Sequence, residues 1–531
     1  MRFSSLFPSA SSQRVIPALL GAMRLPITAG RHSLIIARQS SYFSIPRSST
    51  LLAGFIAVLS CSSARAEAPA TITVDPAETR GVWEGWGTSL AWFGKVFGDR
   101  DDLADVLFTT KRVELTGEPL PGLGMNIVRY NAGACGWNEI DGRRMVVSKT
   151  ILPFRQIEGF WLDGKNPNPD SDSWDWSVDA NQRALLLKAK ERGVDHFELF
   201  SNSPMWWMTK NDNPSGNADN HTDNLPPENY GAFATYLATI AARAKSHWGV
   251  TFTSIDPFNE PISANWFADC KQEGAQFNVP GQIAFLPVLR AELDRQGLKD
   301  LPIVASDETS YDQALKAWRG YPPEARALVA RFNVHGYQGP AGDRAGLRRE
   351  VAVEAGKPIW NSEHGDKHAS GLEMARNLHR DMAVLRPLAW CYWQPLDGGN
   401  NGGWGFIAAD MEKGRILRAN PKYFVFAQYS RHIRPGMTIL GSNESNTIVA
   451  CDARARRLVL ATLNDGPART VCYDLSRFRG SSDRVQRFVT EMDGGARYAE
   501  LPEAQISDGR LTISFPANSV QTLILSDITP H

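Results

Sequence analysis

The chain has 531 residues, 43% hydrophobic and 21% charged, the profile of a globular protein with a full core. Lysine plus arginine and aspartate plus glutamate each number 57, so no net basic field draws it to nucleic acid or an anionic membrane. The length exceeds one ordinary domain and suits a barrel of about 250 residues or more with an accessory unit.

Residues 1–66 read as a leader. Seven arginines precede the first acidic residue, Glu67. The apolar stretch Thr50 to Leu59 follows Arg47 and leads to Ala64-Arg65-Ala66. This is the basic, apolar, small-residue order of a secretory signal cleaved after Ala66, so a secreted protein is expected. The same acid-free, arginine- and serine-rich start also resembles a mitochondrial transit peptide, and Met23 is an alternative start. No other apolar run reaches the ~20 residues of a membrane span, so no membrane association is expected after cleavage. Beyond the leader stand Cys135, Cys270, Cys391, Cys451 and Cys472. Their spacing fits no zinc site. Cys451 and Cys472 fall in successive predicted strands, which leaves open both a disulfide and separate buried thiols.

From about 82 to 396, short strand-like runs alternate with longer helical ones. The strands predicted are 82–90, 125–131, 196–203, 253–260, 302–308, 331–337, 358–365 and 388–396. Helices are predicted over 178–192, 230–246, 281–296, 313–318, 344–354 and 370–384. Eight strands interleaved with helices predict a (β/α)8 TIM barrel. A helix over 423–432 then leads to strands at 447–451, 457–464, 470–475, 485–492, 511–515 and 520–525, predicted to form a C-terminal β-sandwich side domain. The expected division is a catalytic barrel over 75–421 and a sandwich over 422–531, with Ala70–Val74 adding a strand to the sandwich.

Two segments carry the chemistry: Asp256-Pro257-Phe258-Asn259-Glu260-Pro261 and Trp360-Asn361-Ser362-Glu363-His364-Gly365-Asp366. Each is a run of strand formers that ends in a glutamate and then breaks. Carboxyl ends of barrel strands are where catalytic groups sit. Two carboxyls there suit attack on a glycosidic bond, in which one delivers a proton and the other stays ionised. A strand-end glutamate alone is ordinary surface; two in register are not.

With these residues placed, the chain resembles the retaining glycosidases of glycoside hydrolase family 30 over about 75–526. The Asn259-Glu260-Pro261 step matches the family's acid/base at the end of strand four, and Glu363 its nucleophile at the end of strand seven. Within the family, Gly85-Trp86-Gly87-Thr88-Ser89-Leu90-Ala91-Trp92 and Ser201-Asn202-Ser203-Pro204-Met205-Trp206-Trp207-Met208 look most like endo-β-1,6-galactanases. The resemblance implies endo cleavage of β-1,6-galactan, such as arabinogalactan side chains, by a monomer without cofactor. A β-1,6-glucanase or another family 30 glycosidase is the nearest alternative, and an inactive carbohydrate-binding barrel is a remoter one.

Further residues are expected around this pair. Asn259 would bond the sugar hydroxyl beside the reacting carbon, and Arg129 would hold Glu363 ionised. His335 and Tyr337, at the end of strand six, would orient Glu363 or touch substrate. Trp86, Trp206, Trp207 and Trp393 are candidate stacking platforms for sugar rings, with Trp86 preferred to Trp92. The polar loop 166–176, with Trp174 and Trp176, is expected to wall a subsite. Ten scattered histidines offer no His-Glu-x-x-His spacing, so no metal site is expected.

Overall fold

The computed structural model describes residues 69–398, 402–480 and 484–531; the expected leader lies outside them. Eight parallel strands close into a barrel in sequence order: β1 (Gly85–Ser89), β2 (Ile127–Asn131), β3 (His196–Phe200), β4 (Ser254–Asp256), β5 (Ile303–Glu308), β6 (Val329–His335), β7 (Ile359–His364) and β8 (Ala389–Tyr392). All eight fall within or beside the predicted runs.

The barrel interior is layered. At the bottom, Ile127, Trp360, Ala389 and Cys391 form an apolar plug. Space there is tight, because a Cβ on Gly87 would sit 2.6 Å from both Cys391 Sγ and Ile127 Cβ. Small residues of β1 therefore face inward and its tryptophan faces out. Above the plug lies a charged layer of Arg129, Glu198, Asp256, Asp307 and Arg331, and at the top stand Glu260, His335 and Glu363. Outward residues such as Val128, Tyr130 and Leu199 pack under the helices in one large apolar cluster.

Two strands depart from simple alternation. In β5, Ser306 pairs with Asn333 and Glu308 with Val334, so Asp307 is an extra residue. In β7, Asn361 pairs with Val334 and Glu363 with His335, so Ser362 is extra. Such bulges re-aim side chains that a two-residue period would send elsewhere.

Nine strands form the side sheet. Ala70–Val82 belongs to it, pairing antiparallel with Thr438–Ser442 and parallel with Arg469–Asp474. Alternation along Arg457–Asn464 divides two cores: Leu458 and Leu460 face the side sheet's own core, whereas Val459, Ala461 and Leu463 join the barrel cluster. A buried helix, Pro421–Ser430, sits at that junction. Its Gln428 donates to Thr490 Oγ1 at 2.9 Å, and Thr522 Oγ1 donates to the Gln428 carbonyl at 2.7 Å. Sequence reading missed Thr438–Ser442 and the edge strand Ala499–Ala504, which is polar and carries Pro502. All five cysteines among the described residues are free and buried. No described helix is long and apolar enough to cross a membrane.

Candidate active site

Glu260 follows β4 on a sharp turn with φ of 49°, a left-handed conformation that costs a non-glycine residue energy. Neighbours hold it there. The Glu260 amide donates to the Asp307 carbonyl at 2.8 Å, and the Glu260 carbonyl accepts Ser263 N at 2.9 Å and Trp266 Nε1 at 2.8 Å. The turn lifts the carboxyl above the strand end and toward the barrel axis.

Glu363 enters from β7 through its bulge. Tyr337 donates its hydroxyl to Glu363 Oε1 at 2.7 Å, and Arg129 Nη1 donates to Oε2 at 3.0 Å. His335 stands between the two glutamates, with Nδ1 3.2 Å from Glu260 Oε1 and 3.5 Å from Glu363 Oε1. One oxygen from each carboxyl and a His335 ring nitrogen all lie within 4.8 Å of one another. Three such groups are also what a metal ion uses, but here both Glu363 oxygens are already taken by donors, and a guanidinium lies alongside. The arrangement reads as a hydrogen-bonded acid pair rather than a ligand set.

Burial is the strongest influence on Glu363 and pushes its carboxyl up to about 7, against the downward pull of His335 and Arg129. Burial likewise opposes a charge on His335, yet the Glu363 and Asp307 carboxylates win and raise it well above the usual histidine range. The neighbouring Glu260 carboxyl adds to the effect of burial on Glu363, because two like charges this close resist coexisting.

Both glutamates open into a cleft of about 800 Å³. Asn259, Tyr337 and Trp393 line it. Buried Asn259 has an Oδ1 without a protein partner, an acceptor free for a sugar hydroxyl. Trp393 packs edge-on against Trp92, ring centres 5.1 Å apart.

Several tryptophans are elsewhere. Trp86 is wholly buried, donates Nε1 to the Ile433 carbonyl at 2.7 Å and packs on Trp83 and Phe426. It belongs to the outer face of β1, so its expected place in the cleft is corrected; Trp92 lines the wall instead. Trp206 is buried in the main core. Trp207 donates to the Trp161 carbonyl at 2.9 Å and packs on Gly164, apart from the cleft lining. Trp174 stacks between Trp161 and Trp176, at 4.9 and 5.2 Å, so loop 166–176 closes a core rather than a subsite.

Sequence reading missed Trp266, Phe267 and Trp404, which line the cleft from loops, and Asp307 beneath it. Trp404 keeps 41% of its surface exposed, uncommon for so large an apolar side chain, and lies 6.4 Å from the Tyr337 ring.

Residues 69–316 match the O-Glycosyl hydrolase family 30. The chain is 47% identical over 473 residues to an endo-beta-1,6-galactanase of Hypocrea rufa, spanning 88% of this chain and 97% of that one. It is 22% identical to an exo-beta-1,6-galactobiohydrolase of Bifidobacterium longum subsp. longum, over 81% of this chain and 35% of that one. Among solved structures, a conserved exported protein from Bacteroides fragilis aligns with TM-score 0.69 at 18% identity, over 86% of this chain and all of that one. A family 30 subfamily 8 xylanase from Clostridium acetobutylicum aligns with TM-score 0.62 at 19% identity, over 86% and 99%. These two structures speak to the fold alone.

Proposed function

The chain belongs to glycoside hydrolase family 30 and is a glycoside hydrolase, and we propose that it cleaves β-1,6-linked galactan internally, with retention of configuration. The observation that carries retention is the approach of the two carboxyls, within 4.8 Å at their nearest oxygens. Retaining enzymes keep the pair about 5–5.5 Å apart, whereas inverting ones need about 6.5–9.5 Å to admit a water.

Glu363 attacks the anomeric carbon through a carboxylate oxygen while Glu260 gives its proton to the departing glycosidic oxygen. The glycosidic C–O bond breaks and a glycosyl ester on Glu363 forms. Glu260, now ionised, takes a proton from water, whose oxygen attacks the same carbon and releases Glu363. Asn259 holds a sugar hydroxyl, and Trp393, Trp404 and Trp92 offer apolar faces to the rings.

Galactan is supported by the 47% identity to an enzyme named for that activity. Export is supported by the basic, then apolar, start of the chain. The expected partner is the polysaccharide alone, met by a monomer. Release of reducing sugar from β-1,6-galactan, measured beside β-1,6-glucan and β-1,3-galactan, tests the reading. Cleavage of the first alone supports it; glucan cleavage without galactan cleavage overturns the specificity, and activity on none overturns the enzyme.

A further inference from the structure

Asp307 belongs to neither catalytic arm as described, yet it touches both. Its left-handed φ of 58° and the bulge in β5 turn it into the barrel, where it meets the bulge in β7. Ser362 Oγ donates to Asp307 Oδ1 at 2.5 Å. Asp307 Oδ2 accepts Arg129 Nη2 and lies 3.1 Å from His335 Nε2. Its carbonyl takes the Glu260 amide at 2.8 Å. The wholly buried Asp307 carboxylate thus touches the arginine that grips Glu363, the residue before Glu363 and the histidine between the catalytic pair, while its backbone carbonyl holds the backbone of the acid.

Every other group near His335 leaves its Nε2 side to Asp307. Glu260 and Glu363 face Nδ1, and the Tyr337 ring stands edge-on 5.8 Å away. Arg129 reaches it through Asp307 and Glu363. Burial pushes Glu308 up to about 8 and holds Asp256 well above the carboxylate range, so these two bring little negative charge at neutral pH.

We propose that Asp307 is a positioning residue that fixes His335 as an imidazolium between the two catalytic carboxyls, where one cation balances the negative charge wherever it sits. The proposal rests on the double displacement above. In the first step an electron pair of Glu363 forms the bond to the anomeric carbon, and the Glu260 proton leaves with the departing oxygen. Negative charge thereby passes from Glu363 to Glu260. An N–H held 3.2 Å from one oxygen and 3.5 Å from the other serves both states without turning, which is how a preorganised dipole lowers a barrier. The Asp307 carboxylate lies 3.1 Å from Nε2, a charge contact rather than an aligned hydrogen bond, and its negative charge favours a proton on both ring nitrogens.

The test is ring-nitrogen NMR of 15N-histidine in the intact protein, with His335 assigned by the signal lost in His335→Gln. The proposal expects an imidazolium throughout pH 5–8. In Asp307→Asn the midpoint should fall by about one unit or more, and kcat by roughly 10- to 100-fold with KM within about twofold. A neutral His335 in the wild-type protein at pH 6 overturns it. So does an Asp307→Asn protein that melts earlier but keeps the wild-type pH profile of kcat. If that variant does not fold, the wild-type spectrum decides alone. The spectrum needs no substrate: an imidazolium in a protein inert to every polysaccharide offered supports the proposal's charge state and overturns the functional reading.

Discussion

Tyr337 donates its hydroxyl to Glu363 Oε1 at 2.7 Å and leaves Oε2 to Arg129, so the proposed nucleophile is gripped at both oxygens. Donors to a carboxylate favour its ionised form. In Tyr337→Phe the carboxyl loses one, and its proton becomes harder to remove. The acid limb of kcat/KM, set by ionisation of Glu363, should move to higher pH, and the plateau should fall roughly tenfold or more. An unmoved limb would show that Tyr337 does not tune the nucleophile.

Glu260 has a different signature. Its proton matters only when the departing group needs one, so Glu260→Ala should lose about 10²- to 10⁴-fold on galactan. An aryl galactobioside with an acidic phenol, which departs without protonation, should still form the glycosyl-enzyme at close to the normal rate. Equal losses on both substrates would remove Glu260 from the acid role.

The tryptophans separate by where they are buried. Trp206 is wholly buried, and Trp206→Ala should cost about 3–5 kcal/mol of stability. KM of the protein that remains folded should stay near wild type. Trp404 is 41% exposed at the cleft, and Trp404→Ala should do the reverse: a KM several-fold higher with an almost unchanged melting temperature. Thermal denaturation and initial rates on the same preparations decide between the two patterns.

Much of this was legible in the chain. Eight alternating runs predicted the barrel, and two glutamates at their ends predicted the pair, because strand ends and helix spacing are local properties. The face a tryptophan takes is not. Trp86 turns outward because Gly87 beside it is the residue small enough for the crowded interior, a fact about Cys391 and Ile127 on the two flanking strands. Asp307 was invisible for a related reason. Its inward aim depends on a bulge, which breaks the two-residue period that sequence reading relies on. Trp266 and Trp404 come from loops, where no period applies.

Buried acids outside the cleft give a pH prediction. Burial raises Asp179 from 3.8 to about 8, although Tyr130 and Gln182 donate to it. Below about pH 4 the group is protonated both folded and unfolded, and adds nothing. As pH rises from there to about 8, only the unfolded chain releases the proton, so the folded state loses stability across that window. In Asp179→Asn this loss is absent. Relative to wild type, the variant's melting temperature should improve steadily from pH 5 to pH 8. A difference between the two proteins that stays constant over that range would place the Asp179 proton elsewhere.

The reaction itself offers the most direct check on the paired carboxyls. Proton NMR during the first minutes of galacto-oligosaccharide hydrolysis reports which anomer is released before mutarotation. A double displacement through Glu363 predicts the β-anomer first. The α-anomer first would mean a single displacement by water and would contradict the assignment of Glu363 as nucleophile.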